Sequence, residues 1–258
     1  MPLCRRRKGA LPYPTTMKTV NIHIQFRTAT LFFAAVLASG AAQAHYLWIE
    51  PGDAGARLYY GEADNLLKEK SPGKLDNIKS PRAFATRAAK IDAVSVSRAA
   101  EFFAIDSGKA DSTVLVAEES LEVRDLSKHG LGIAKSNYYA RYGQAAAVGA
   151  SPLALDVQAH GANALVVLYR GQPLKDAKLE VIAPNAWVQE HKTDAQGAVK
   201  INAPWRGQYV VHVLHVDRTP GEFGGQTYDN LRNHFTYTFV KADGTDPGPA
   251  LAPQYGAD

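Results

Sequence analysis

The chain has 258 residues, with 29 lysines and arginines, 25 aspartates and glutamates and a formal net charge of +4. Residues 1–44 hold six of the basic side chains and none of the acidic ones, so the rest carries 23 basic against 25 acidic side chains, a charge of −2. No basic patch interleaved with aromatic residues occurs there, which argues against nucleic-acid binding.

The beginning of the chain is typical of a cleavable secretory signal peptide. Lys18 and Arg27 supply the positive charge, residues 29–38 are mostly apolar, and Ala42-Gln43-Ala44 is a small-x-small cleavage site. Cleavage after Ala44 predicts a periplasmic protein whose first residue is His45.

The remaining 214 residues are enough for one large or two small domains. The only cysteine, Cys4, lies in the predicted leader, so the mature chain has no disulfide and no thiolate ligand. No apolar stretch after the signal approaches the ~20 residues of a membrane span, which predicts no transmembrane segment in the mature chain.

The first half of the mature chain is rich in predicted strands. Between them, residues 62–80 are charged with spaced leucines, which predicts a short helical insert interrupted at Pro72-Gly73. The predicted strands are His45 to Glu50, Ala56 to Gly61, Ile91 to Ser97, Ala100 to Ile105, Ser112 to Glu118, Leu121 to Leu126, Asn137 to Tyr142 and Leu153 to Gln158.

The second half shows clearer strand patterns, separated by Gly, Pro and Asp-x-x-Gly turns. The predicted strands are Asn163 to Arg170, Ala177 to Ala183, Trp187 to Thr193, Ala198 to Ala203, Gln208 to Val216 and Asn233 to Lys241. This spacing predicts an antiparallel β-sandwich of immunoglobulin-like or transthyretin-like type.

We therefore predict an all-β protein with two antiparallel β-sandwich domains that meet near residues 143–152, a segment dominated by Gly, Ala and Ser. The tail has little to bury and is predicted to be disordered. The predicted organisation is a removed signal with upstream extension at 1–44, an N-terminal β-rich domain at 45–146, a C-terminal β-sandwich at 152–241 and a tail at 242–258.

His45 is the strongest candidate for chemistry. As a terminal residue it offers an α-amine and an imidazole nitrogen that can chelate one metal ion, and the amine has an ordinary pKa of roughly 7.7 to 8. Ligands of this type suit nickel, cobalt and copper, and ligand type alone does not select among them.

His215 and Asp217 share one face of a predicted strand end, which suits a metal ligand and a carboxylate that orients it. A histidine bonded only to the adjacent turn is the alternative. His212 and His215 form H-x-x-H, but in a strand they point to opposite faces. His212, His234 and Glu62 are kept as further candidate ligands, Glu62 because its strand lies near the predicted terminus in sequence.

Five motifs stand out: H-Y-L-W-I-E-P from residue 45, Y-R-G-Q-P-L-K-D-A-K-L-E-V-I-A-P-N-A-W, T-D-A-Q-G-A-V, P-W-R-G-Q-Y and H-V-D-R-T-P-G-E. They resemble a bacterial exported family of unknown function, whose members are often labelled periplasmic components of nickel or cobalt uptake systems. The turn pattern is also similar to carboxypeptidase-regulatory-like and transthyretin-like modules. The resemblance covers most of residues 45–241 and implies a metal role for His45 and His215. We predict that His45 and His215 approach one metal ion, with Asp217 either orienting His215 or completing the set of ligands.

We therefore expect a periplasmic divalent-metal-binding protein, not an enzyme, that binds nickel, cobalt or copper through His45 and passes it to a membrane or outer-membrane transport component. A copper-dependent oxidase resembling the lytic polysaccharide monooxygenases is one alternative, since it too would use a terminal histidine and a second histidine. A structural or adhesive β-sandwich module, in which His45 is incidental, is the other.

Overall fold

Strands dominate the computed structural model, which describes residues 45–52, 55–87, 90–108, 113–143, 151–161 and 163–256. The predicted signal peptide and most of the predicted domain boundary lie outside these residues. The first ten strands are β1 Tyr46–Gly52, β2 Gly55–Glu62, β3 Leu67–Lys68, β4 Arg82–Arg87, β5 Lys90–Val94, β6 Val96–Arg98, β7 Phe103–Ile105, β8 Thr113–Glu118, β9 Arg124–Asp125 and β10 Ile133–Tyr142.

The strands after residue 150 include every predicted one, near its predicted position, and four short ones that the sequence did not predict, at 172–173, 221–223, 226–228 and 254–255. They are β11 Leu155–Ala159, β12 Ala164–Tyr169, β13 Gln172–Pro173, β14 Lys178–Ile182, β15 Val188–Lys192, β16 Ala198–Lys200, β17 Gly207–Asp217, β18 Gly221–Phe223, β19 Gln226–Tyr228, β20 Asn230–Lys241 and β21 Gln254–Tyr255. The described helices are two 3-10 turns, Lys74–Asn77 and Ser127–His129. The all-β prediction is confirmed, and the predicted helical insert is reduced to the first of these turns.

A nine-stranded sheet forms the middle of the molecule, in the order β15-β14-β17-β20-β10-β8-β4-β5, with β9 added beside β10. Its strands pair antiparallel except for β10 and β20, which run parallel, with Asn137 opposite Asn233. The strands between residues 153 and 241 pair only antiparallel with one another, as the sequence predicted.

The large sheet separates two hydrophobic cores. On one face, Val116, Tyr138 and Val210 pack against Leu47 and Leu58 of the six-stranded sheet that contains β1, β2, β3, β6, β7 and β21. On the other face, a second core joins alternate residues of the large sheet to the four-stranded sheet of β11, β12, β13 and β16, through Leu115, Tyr139, Val211, Val213, Leu155, Val157 and Val167. The architecture is therefore three β layers, with the largest sheet in the centre.

The prediction of two separate domains is wrong, because residues 43–258 form one compact unit. Strands from both sides of the predicted boundary share the central sheet, since β10 pairs with β20 over nine residue positions. A buried ion pair also joins the central sheet to the four-stranded one: Arg141 Nε donates to Asp156 Oδ1 at 2.9 Å, and both side chains are almost fully buried.

The C-terminal tail, predicted to be disordered, follows a defined path to residue 256. Thr245 bridges to Trp205, and β21 then adds to the edge of the six-stranded sheet beside β3. Composition pointed to disorder because these residues bury little, and most of their side chains are indeed exposed. The path of the tail is set by backbone hydrogen bonds and not by the burial of its side chains. No described helix is long and apolar enough to cross a membrane.

Candidate functional site

Three consecutive strands bring His45 beside two glutamates. In the β1–β2 pair, Tyr46 lies opposite Gly61, so His45 lies next to the end of β2, where Glu62 follows. Gly61 in turn lies opposite Lys68 of β3, which places Glu69 at the same end. Only glycine allows β3 to approach β2 this closely at position 61. Its φ is +147°, and a Cβ there would lie 2.1 Å from the carbonyl oxygen of Leu67.

The imidazole ring of His45 lies between the two carboxylates. Nε2 lies 2.5 Å from Oε1 of Glu69, and Nδ1 lies 3.0 Å from Oε1 of Glu62. The side chains of both glutamates are 3% exposed and that of His45 is 17% exposed. Lys74 Nζ donates to the same Glu69 oxygen at 3.1 Å, and the ring of Tyr60 lies 5.3 Å from that of His45.

The proton positions follow from the state of Glu69. Burial alone would raise the pKa of this carboxyl, but hydrogen bonds from His45 and Lys74 and the charge of Lys74 hold it below its usual value. An ionised Glu69 can only accept hydrogen bonds, so Nε2 of His45 carries the hydrogen and donates it.

The Nδ1 side of the ring is different. Oε2 of Glu62 accepts a hydrogen bond from Asn65 at 2.8 Å, whereas the buried Oε1 has no hydrogen-bond partner among the described residues. Nδ1 and this oxygen both carry lone pairs and lie 3.0 Å apart. Their approach is therefore favourable only with a proton between them or a metal ion bound there.

His215 and Asp217 lie on the opposite face of the central sheet from His45. His215 points to the same side as Val211 and Val213 of the second core, and its ring lies 4.3 Å from that of Tyr169. His45 contacts Tyr60, which packs on the first core. The prediction that His45 and His215 share one metal ion is therefore wrong.

Asp217 is engaged by groups other than the imidazole of His215. Tyr169 donates its hydroxyl to Oδ2 at 2.8 Å, the amide of Thr219 donates to Oδ1 at 3.0 Å, and Arg170 Nη2 lies 3.3 Å from Oδ2. Burial lowers the pKa of His215, and the charge of Asp217 opposes that change. Asp217 thus joins the end of β17 to β12 and the turn that follows each of them.

His212 and His234 lie on the His45 side of the central sheet. The two rings lie 5.8 Å apart and nearly parallel, and His212 Nδ1 lies 3.2 Å from Glu180 Oε2. His212 and His215 therefore point to opposite faces, as their spacing in a strand predicted. Ring contacts continue from His234 to Tyr138, which stack at 5.0 Å, to Tyr60, whose ring meets that of Tyr138 edge-on at 5.9 Å, and then to the tilted ring of His45.

Of the predicted ligands, the structure therefore brings only Glu62 into contact with the His45 ring. No group of three or more His, Cys, Asp or Glu side chains within the described residues is arranged to hold a metal ion. Sequence reasoning missed Glu69, because the segment that contains it was assigned to a helix. Strand pairing, not a spacing motif, places Glu69 beside His45.

One family comparison bears on this fold. Residues 152–217 match the model of a domain of unknown function, DUF4198. The DUF4198 match extends from before β11 to the end of β17 and includes His212 and His215, whereas His45, Glu62 and Glu69 lie outside it. No curated protein and no solved structure matches the chain.

Proposed function

We propose that the chain, after cleavage at Ala44, is a periplasmic protein that binds nickel, cobalt or copper through His45 and passes it to an uptake system. One observation carries the proposal. The Nδ1 atom of His45 faces a buried oxygen of Glu62 at 3.0 Å, and that oxygen has no hydrogen-bond partner among the described residues. Two such atoms in contact are suited to a shared cation.

The opposite side of the ring supports the same function. A histidine that binds a metal through one nitrogen commonly donates the other N–H to a carboxylate, which fixes the ring and makes it a better ligand. Glu69 is placed to accept that hydrogen bond from Nε2. Nδ1 is then the nitrogen available to a metal.

Cleavage after Ala44 would add the third donor. The α-nitrogen and Nδ1 of one terminal histidine form a chelate, and Glu62 would supply an oxygen. Two nitrogens and one oxygen suit late first-row divalent ions. A set of three leaves further coordination positions for a donor or acceptor of the metal, as capture and release require.

The copper-oxidase alternative is less well supported. It would use the terminal histidine together with a second histidine, but both ring nitrogens of His45 face carboxylates. A ring with carboxylates on both sides suits a site that binds a divalent ion. The oxidase would instead need a second imidazole beside His45.

The decisive experiment compares two forms of the protein that differ only at the terminus. One form begins at His45, and the other retains Ala44, which keeps every site side chain but converts the α-amine into an amide. Calorimetry with nickel, cobalt and copper should show affinity at least about tenfold lower for the extended form, as expected for the loss of a direct ligand when the loss of an outer partner alone costs about 10 to 100-fold.

Two variants complete the design. Glu62→Gln in the form that begins at His45 should weaken binding similarly, whereas replacing the exposed His129 by Ala should leave it unchanged. Equal affinities of the two forms would contradict the proposal. Failure of both to bind any of the three ions would favour the structural β-sandwich, and oxygen consumption with copper and a reductant would favour the oxidase.

A further inference from the structure

The C-terminal segment reaches Glu69, which lies on the Nε2 side of the His45 ring. β21 runs parallel to β3, with the amide of Gln254 donating to the carbonyl of Leu66 at 2.8 Å and the amide of Gly256 donating to that of Lys68 at 3.0 Å. The residue that follows Lys68 is Glu69, the hydrogen-bond partner of His45. The tail therefore ends its described path directly beside this glutamate.

Gly256 lies against the Glu69 carboxylate with no space for a side chain. A Cβ at position 256 would lie 2.2 Å from Oε2 of Glu69, closer than real Cβ atoms approach other atoms, and 3.1 Å from Cδ, which is a tight contact. The φ of Gly256 is not in the positive range, so the restriction is steric and does not arise from backbone conformation.

The Glu69 carboxylate cannot move aside freely. Its side chain is 3% exposed, and its other oxygen, Oε1, contacts both His45 Nε2 and Lys74 Nζ. Any displacement of Oε2 by a larger residue 256 would rotate the carboxylate and disturb the contact with His45. The position of the tail and the orientation of the His45 ring are thus linked through one side chain.

The tail itself is weakly held. Between the Thr245–Trp205 bridge and β21, its side chains are mostly exposed, including Leu251 at 46%. A cavity of about 380 Å³ lies beneath it, lined in part by Trp48, Lys68 and Leu251. Segments with few buried contacts and exposed hydrogen bonds open at low free-energy cost.

We propose that residues 245–256 are a strap that orients the His45 site, with Gly256 as the positioning residue that holds the Glu69 carboxylate towards His45. When the strap is docked, Glu69 is held against His45. When the strap lifts, Oε2 is no longer confined by Gly256, and only the contacts of Oε1 with His45 and Lys74 remain to orient the carboxylate and the ring. The role in metal binding depends on the function proposed above, but the link between strap and Glu69 does not.

The test uses the full processed chain without metal. Gly256→Ala should either speed hydrogen exchange at the amides of Gln254 and Gly256 by about tenfold or more, or shift the ¹⁵N resonances of the His45 ring. Ala252→Val, which adds volume at an exposed strap position, should do neither. Unchanged exchange and unchanged resonances in Gly256→Ala would overturn the proposal.

The same substitution in a protein that also carries Glu69→Ala separates a specific clash with the Glu69 carboxylate from a general loss of structure. In Glu69→Ala the carboxylate is absent, so whichever change Gly256→Ala causes in the parent, in strap exchange or in the His45 resonances, should be absent when the two substitutions are combined. The same non-zero change with and without the carboxylate would overturn the proposal, because the clash would then not involve Glu69. Nickel, cobalt and copper affinity is measured last, and a parent protein that binds none of them refutes the proposed function while leaving the exchange result intact.

Discussion

Nε2 of His45 lies 2.5 Å from Oε1 of Glu69, a contact between a residue at the start of β1 and one just after β3. Because Glu69 is ionised and buried, this hydrogen bond fixes both the tautomer and the orientation of the ring. It leaves Nδ1 3.0 Å from Oε1 of Glu62.

The first prediction concerns this contact. Glu69→Gln keeps the size of the side chain but removes the charge that orients the imidazole. We expect nickel and copper affinity of the protein that begins at His45 to fall by about 10 to 100-fold, the usual effect of losing an outer partner of a metal-bound histidine. Calorimetry checks this result.

The matched control is Glu122→Gln, which makes the same change at an exposed glutamate. Its affinity should equal that of the parent. If Glu69→Gln also binds as tightly as the parent, Glu69 has no part in orienting the ring.

A second prediction tests the separation of the two histidine sites. Since His215 lies on the far side of the central sheet, His215→Gln should change metal affinity less than about twofold. The measurement is the same titration, after circular dichroism has shown that the fold is intact. A tenfold loss would indicate that His215 is a ligand after all.

The sequence located most of the longer strands, but it missed β4 of the central sheet and did not locate the site. Alternation and turn residues located β12, β14 and β17 closely, because each strand buries one or both faces. The same alternation correctly separated His212 from His215. Proximity across the fold depends on strand order, which local pattern does not encode. His215 was therefore assigned to the wrong layer, and Glu69 was overlooked.

The domain prediction failed for a related reason. A segment rich in Gly and Ala is typical of a linker, yet the strands on either side of it meet in one sheet. The pairing of β10 with β20 joins residues about 96 positions apart, as for Asn137 and Asn233. No local sequence feature of β10 or β20 predicts that the two strands pair.

The third prediction concerns pH. His234 is buried, and the ring of Tyr138 on β10 covers its imidazole. This burial, together with the charges of His212 and Arg232, holds the pKa of His234 well below its usual value. As pH falls below about 6.5 the unfolded chain binds a proton that the folded protein does not, so stability falls towards acid by up to ~1.4 kcal/mol per pH unit.

His234→Phe removes the imidazole that binds this proton in the unfolded chain. The free energy of unfolding should therefore depend less on pH between pH 7 and pH 5, as measured by urea unfolding at several pH values. His129→Phe, at an exposed position, should leave the slope as in the parent. An unchanged slope in His234→Phe would show that other groups cause the acid sensitivity.

The fourth prediction concerns the ion pair that joins two layers. Asp156→Ala leaves the guanidinium of Arg141 buried without its carboxylate, which should lower the free energy of unfolding by about 3 to 5 kcal/mol. Urea denaturation measures this loss. Glu190→Ala breaks the exposed pair with Lys178, whose atoms lie 2.6 Å apart, and should cost no more than about 1 kcal/mol. Similar losses for the two variants would contradict this assignment.

The parallel pairing of β10 with β20 also sets the order in which the chain can fold. β20 ends at Lys241 and is the strand that joins β10, β8, β4 and β5 to β17 and β14. A chain synthesised from its N-terminus would therefore have β10 without its neighbour β20 until almost the whole chain had emerged. Contacts this distant in sequence form slowly, and an unpaired strand edge promotes aggregation. Chains truncated before Asn230 should accumulate as insoluble protein, even though they contain every residue of the His45 ring environment.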